Sequence, residues 1–356
     1  MLLTSLLSLV AVVAAKRNGK PRGHHSEFEN LVTFGDSYTD ENRLGYFINN
    51  NGDAPPAGTL LPESSSAASG GYAWGRIIAQ NTGAKYYDYA VSGATCSNEI
   101  IERYFSSIDA PFPDVMGYEI PAFKADLQWV NETTGTNTLY TDRTAKNTVY
   151  ALWIGTNDLG NDAFMTDSQT PETTIADFVD CVWEVFDSIY ETGGRRFVVL
   201  NEAPLEVSPL YAAPSNGGVE ESKFWPTKDT YNVTECEQKM LEYTTMVNVA
   251  LEYGVPFNTM IKKRWPGATF SIFNVHDLML DIYHNPDGYL ESPANVTGYY
   301  YICDGEDFSN CDESENSLAS FMWYDELHPS QRTDEIIAEE FIKVIDGDSY
   351  YGTTCR

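Results

Sequence analysis

Five short runs of apolar and aromatic residues recur along this chain, and each stops at a glycine, a proline or a polar turn. They cover residues 31–34, ending at Gly35; 86–90, ending at Ser92-Gly93; and 148–154, ending at Gly155. Two more cover 197–200, ending near Asn201 and Pro204, and 269–275, ending at His276. The runs are nearly continuous instead of alternating apolar with polar. A strand with one wet face alternates, whereas a strand buried on both faces does not. Such runs predict a parallel sheet covered on each side.

Helical periodicity fills the gaps. Residues 71–80 carry Trp74, Ile77 and Ile78 at helical spacing. Residues 173–190 open with Thr173-Thr174 and line up Phe178, Val182, Val185, Phe186 and Ile189 on one face. Residues 235–253 form a further helix, stopped by Gly254 and Pro256, and 334–345 form the last. Strands alternating with helices imply a layered α/β fold. No repeat and no long Pro-, Gly- or Ser-rich linker divides the chain, so residues 30–356 read as one domain. The long loops, 49–69 and 203–230, read as insertions that shape a site.

Composition narrows the function. Of 356 residues, 42% are hydrophobic, which is ample for a core. Lys plus Arg total 22 against 52 Asp plus Glu, a formal charge of −30. Nucleic acids and anionic membrane surfaces need clustered cations, so both are excluded as partners. A neutral or cationic substrate suits such a chain, and self-repulsion suits a monomer.

Residues 1–15 (MLLTSLLSLVAVVAA) are short, apolar and uncharged, and they end in the small residues Val13-Ala14-Ala15. That is the pattern of a signal peptide, too short to span a bilayer. Lys16-Arg17 offers a dibasic processing site, and 16–29 read as a flexible lead-in or processed segment. No later stretch is long and apolar enough for a membrane anchor, so the protein reads as secreted and extracellular. Six cysteines, Cys96, Cys181, Cys236, Cys303, Cys311 and Cys355, favour disulfides in an exported chain. Cys303 and Cys311 are near enough to staple one loop; the other pairings stay open. None lies in a C-x-x-C motif, and no metal motif occurs. Asn131, Asn232 and Asn295 each begin a glycosylation sequon.

In open parallel sheets the chemistry lies beyond the carboxyl ends of the strands. Gly35-Asp36-Ser37-Tyr38 follows the first run, Ser92-Gly93 the second, and Gly155-Thr156-Asn157-Asp158 the third. Asp325 and His328 lie near the C-terminus, three residues apart, a spacing of one helical turn that predicts both side chains on one face. Acyl transfer needs a nucleophile, a base, a group that orients the base, and donors for the oxyanion. Ser37 can attack, His328 can take its proton, and Asp325 can hold His328. The N–H groups of Ser37 and Gly93 and the amide of Asn157 can form the oxyanion hole. Each fragment alone is an ordinary turn or cap; the four in this order are not. His24 and His25 fall in the lead-in, and His276 and His284 lack matching partners.

These four blocks resemble the GDSL, or SGNH, hydrolase family, with Ser37, Gly93, Asn157 and His328 in its order and Asp325 at its carboxylate position. Tyr38 stands where the family name has Leu. The resemblance runs from about Leu31 to Ile345. It implies a three-layer α/β/α sandwich, flavodoxin-like, with a five-stranded parallel sheet, and ester hydrolysis with no metal and no cofactor. The stretches LVTFGDSYTDENRLGYFINNNGDAPPAGTLLP and GGYAWGRIIAQ are similar to the secreted fungal acetyl esterases of carbohydrate esterase family 16. They imply a substrate that is a small-molecule or oligosaccharide ester, above all acetyl groups on hemicellulose fragments. The alternatives are a lipase or lysophospholipase of the same family, and a non-catalytic carbohydrate-binding protein on the same fold.

Overall fold

The structure, a computed structural model, describes residues 28–304 and 310–356. The segment read as a signal peptide and most of the lead-in lie outside the described residues. The lead-in was expected to reach residue 29, but Glu29 already belongs to the fold. Its N–H donates to the Asn147 carbonyl at 2.9 Å, and its own carbonyl accepts from Lys85 at 2.8 Å.

Six strands form the main sheet: β1 (Asn30–Gly35), β2 (Lys85–Asp88), β3 (Thr148–Trp153), β4 (Arg196–Leu200), β5 (Thr269–Phe273) and β6 (Gly352–Cys355). Their order is β2-β1-β3-β4-β5-β6. The first five are parallel, as expected; β6 adds an antiparallel edge against β5. Every residue of β1 and β3 is buried, so each face of the sheet needs cover. Helices α1 (Trp74–Thr82) and α6 (Gln331–Asp346) pack on each other, with α5 (Val275–His284) against α6. Helices α2 (Ile120–Gln128), α3 (Ile175–Glu191) and α4 (Val233–Pro256) form a second packed group.

Local chemistry explains the limits of these elements. A capping box starts α3: Thr174 and Asp177 satisfy each other's N–H groups. The helix then buries Phe178, Val182, Val185, Phe186 and Ile189. Strand β5 ends two residues early because Asn274 caps α5, its side-chain oxygen accepting the Asp277 N–H at 3.1 Å. Gly254 and Pro256 do not stop α4, which includes both and runs into a π-helical turn, Phe257–Ile261. Gly254 is there for contact: a Cβ would lie 2.4 Å from the Trp183 ring. Order 2-1-3-4-5 reverses direction between β1 and β3, and a crevice opens beyond such a reversal.

Candidate active site

The chain leaves β1 in a tight turn, with the Asp36 carbonyl accepting the N–H groups of Thr39 at 3.0 Å and Asp40 at 2.9 Å. That turn holds Ser37 at the sheet edge. Its Oγ lies 2.8 Å from Nε2 of His328. On the other side of the ring, Nδ1 lies 2.8 and 3.0 Å from the two carboxylate oxygens of Asp325. A carboxylate beside Nδ1 keeps the proton there and leaves Nε2 to accept from a hydroxyl. The three residues are 8, 6 and 5% exposed for Ser37, His328 and Asp325, so the relay is shielded yet open at the nucleophile.

Asp325 and His328 do not lie on a helix. They sit in a run of bends after the short strand Phe321–Trp323. The spacing works because one Asp325 oxygen accepts the backbone N–H groups of Leu327 at 3.0 Å and His328 at 2.8 Å, curling the chain back on the carboxylate. The Tyr38 hydroxyl donates to the Leu327 carbonyl at 2.7 Å and fastens this segment to the serine turn. The Phe224 ring meets the His328 ring edge to face at 5.3 Å.

Gly93 and Asn157 converge on the same place. Gly93 has φ +85°, and a Cβ there would lie 2.6 Å from the Phe112 ring. Neither the Ser37 N–H nor the Gly93 N–H has a hydrogen-bond partner among the described residues. The Asn157 amide donates one hydrogen to the Ala94 carbonyl at 2.9 Å, which leaves its second. Ser37, Gly93, Asn157 and His328 together line a cleft of about 270 Å³.

Burial governs the carboxyls around the cleft. Burial pushes Asp325 up, but the charge and hydrogen bonds of His328 outweigh it and hold the group below the usual carboxylate range. Asp36 and Asp158 lack so close a cation. Burial pushes Asp36 up to about 6 and Asp158 to about 8, and Glu202 behind them is raised well above its ordinary value.

Sequence reading missed several residues of the cleft. Arg103 and Phe112 come from irregular chain after Gly93, and Tyr211 and Phe224 from the 203–230 loop. That loop's length was the available signal; Arg103 and Phe112 carried none. A larger groove of about 1140 Å³ adjoins the cleft across the same two residues. His276 lies elsewhere, 3.5 Å from Glu206.

The cysteines form Cys303–Cys311, as expected, and Cys96–Cys181. Cys236 and Cys355 are buried thiols, so the even count does not make three bridges. Of the sequon residues, Asn232 is exposed, and Asn131 and Asn295 are half-buried.

Comparison with known proteins places the chain in a family. The family model for GDSL-like Lipase/Acylhydrolase matches residues 31–341. An acetylesterase of Hypocrea jecorina is 47% identical over 92% of this chain and 92% of its own length. An acetylesterase of Thermothelomyces thermophilus is 26% identical over 73% of this chain and 82% of its own. Among solved structures, an acetylxylan esterase from Geobacillus stearothermophilus is similar at a TM-score of 0.35 and 12% identity, over 89% of this chain and 94% of that one. That last likeness is too slight to argue from.

Proposed function

This chain belongs to the GDSL-like lipase and acylhydrolase family, and from that premise we propose that it is a secreted serine esterase that removes acetyl groups from hemicellulose-derived oligosaccharides. The observation that carries the reading is the relay from Ser37 through His328 to Asp325, with 2.8 Å at each step. Ser37 Oγ attacks the ester carbonyl as His328 Nε2 takes its proton. Asp325 stabilises the imidazolium that results. The carbonyl oxygen becomes an oxyanion, received by the N–H groups of Ser37 and Gly93 and the free amide hydrogen of Asn157. His328 then protonates the leaving sugar oxygen, and the C–O bond breaks to give an acyl-Ser37 and the alcohol. Water, deprotonated by His328, repeats the attack, releases acetate and restores Ser37.

The choice of acetyl rests on the relatives named acetylesterases. The adjoining groove gives a sugar chain room to continue. The test sets p-nitrophenyl acetate against the palmitate ester, and then measures acetate released from acetylated xylo-oligosaccharides and glucomannan fragments. Acetate release with no palmitate hydrolysis is expected; a preference for palmitate would make the protein a lipase.

Export is part of the same proposal. The first 15 residues support it, and so do two disulfides, which persist in oxidising compartments. The mature chain then begins after Ala15 or Arg17, as one monomeric domain glycosylated at Asn131, Asn232 and Asn295. Among the described residues no helix is long and apolar enough to cross a membrane.

A further inference from the structure

The loop Ser92-Gly93-Ala94-Thr95-Cys96 is held at almost every peptide. Asp40 Oδ2 accepts both the N–H and the hydroxyl of Ser92, each at 2.8 Å. Arg103 donates to the Gly93 carbonyl. Ala94 gives its N–H to the Val91 carbonyl at 2.9 Å, and its own carbonyl takes the Asn157 amide at 2.9 Å. The Thr95 carbonyl accepts from Val115 at 3.0 Å, and the Cys96 N–H donates to Asp158 at 2.9 Å. The N–H groups of Gly93 and Thr95 have no hydrogen-bond partner among the described residues, and of the two only Gly93 lines the cleft.

Asp40 occupies a particular place in this arrangement. It lies three residues after Ser37 and is 2% exposed. Besides Ser92, its carboxylate accepts the backbone N–H groups of Asn42 at 2.8 Å, Arg43, and Leu44 at 3.2 Å. One carboxylate therefore joins the chain leaving the nucleophile to the residue before Gly93. The Gly93 N–H belongs to the Ser92–Gly93 peptide, so anchoring Ser92 at its N–H and its hydroxyl holds one end of that peptide in place.

Resting on the esterase reading above, we propose that Asp40 is a positioning residue that aims the Gly93 N–H at the oxyanion through Ser92. A donor in an oxyanion site acts only if it meets the charge as it develops, and misplacement by about 1 Å can cost on the order of 10²-fold. Both Asp40 oxygens are occupied by N–H donors. An asparagine would turn an NH₂ group toward an N–H in either orientation, so Asp40→Asn must let go of one side. Ser92→Ala removes the hydroxyl bond alone and keeps the N–H bond.

The test measures both variants with a short acyl ester, beside wild type. Asp40→Asn is expected to lower kcat about 10- to 100-fold, and Ser92→Ala by less, with KM little changed. The acid limb of the pH profile should not move, because His328 and Asp325 are untouched. A phosphonyl reagent should still titrate every active site, and the affinity of an alkylboronic acid, which forms a tetrahedral adduct on serine, should fall with kcat/KM. Unchanged kcat in folded Asp40→Asn would overturn the proposal. A fall matched by lost titratable sites, or by a shifted acid limb, would also overturn it. If Asp40→Asn does not fold, Ser92→Ala decides, and unchanged kcat there overturns it. Wild-type enzyme unlabelled at Ser37 would instead bring down the parent esterase reading, and this inference with it.

Discussion

The Asn157 amide carries two hydrogens, one spent on the Ala94 carbonyl and one open to an oxyanion. Asn157→Ala should therefore lower kcat by roughly 10²–10³ with little change in KM, since the lost interaction strengthens in the transition state. Steady-state kinetics on a short ester checks this; a rise in KM alone would make Asn157 a substrate-binding group. His328 must be neutral to accept the serine proton, so kcat/KM should fall toward acid as the ring is protonated. Asp325→Asn should lower the rate on the order of 10²–10⁴, because an amide stabilises imidazolium poorly and can favour the wrong tautomer. A pH series on wild type, Asp325→Asn and His328→Ala reads both effects. An active His328→Ala enzyme with an unmoved acid limb would show that another group is the base. At this scale the sequence showed which residues meet but not how. Asp325 and His328 were legible by spacing, yet an Asx-type curl replaces the helical turn that the spacing suggested. Arg103 and Phe112 were invisible, because only tertiary packing brings irregular chain to the cleft.

Strands β1 and β3 announce themselves because burial on both faces demands unbroken apolar residues. Strand β6 does not: Gly352-Thr-Thr-Cys355 is an edge, with two exposed residues in four. Helix α5 was hidden because Val275 continues the apolar run of β5, and the capping power of Asn274 decides the boundary. Helix α2 begins Ile120-Pro121 and has too few apolar residues to show a clear stripe. The disulfides divide along similar lines. Cys303–Cys311 spans 8 residues and Cys96–Cys181 spans 85, joining the clamped loop to α3. Longer closed loops gain more from cross-linking, so Cys96→Ala with Cys181→Ala should cost about 2–4 kcal/mol, and the Cys303/Cys311 pair less. Denaturant unfolding measures the two, and the 96–181 variant should also lose more turnover. Equal losses would mean that the second bridge is no mere surface staple.

Across the whole molecule, buried carboxyls tie stability to pH. In the folded protein Asp36 titrates about 6 and Asp158 about 8; in an unfolded chain both would titrate about 3.9. Between those values the folded state keeps protons that the unfolded state has lost, so stability falls as pH rises through that window. Asp325 has the opposite sign: its lowered folded value stabilises above the ordinary aspartate range and is lost as pH falls through it. The −30 charge adds self-repulsion that also grows toward neutral pH. The melting temperature should therefore be higher at about pH 5 than at about pH 8, as circular dichroism melts would show. A melting temperature that climbs over that range would contradict it. The central claim is that one serine of this chain carries the acyl group. Intact-mass analysis after treatment with a phosphonyl serine reagent, followed by peptide mapping, tests it most directly. The account predicts a single adduct on the Ser37 peptide, absent from a folded and inactive Ser37→Ala protein. An adduct on another serine, with Ser37→Ala still hydrolysing ester, would contradict it.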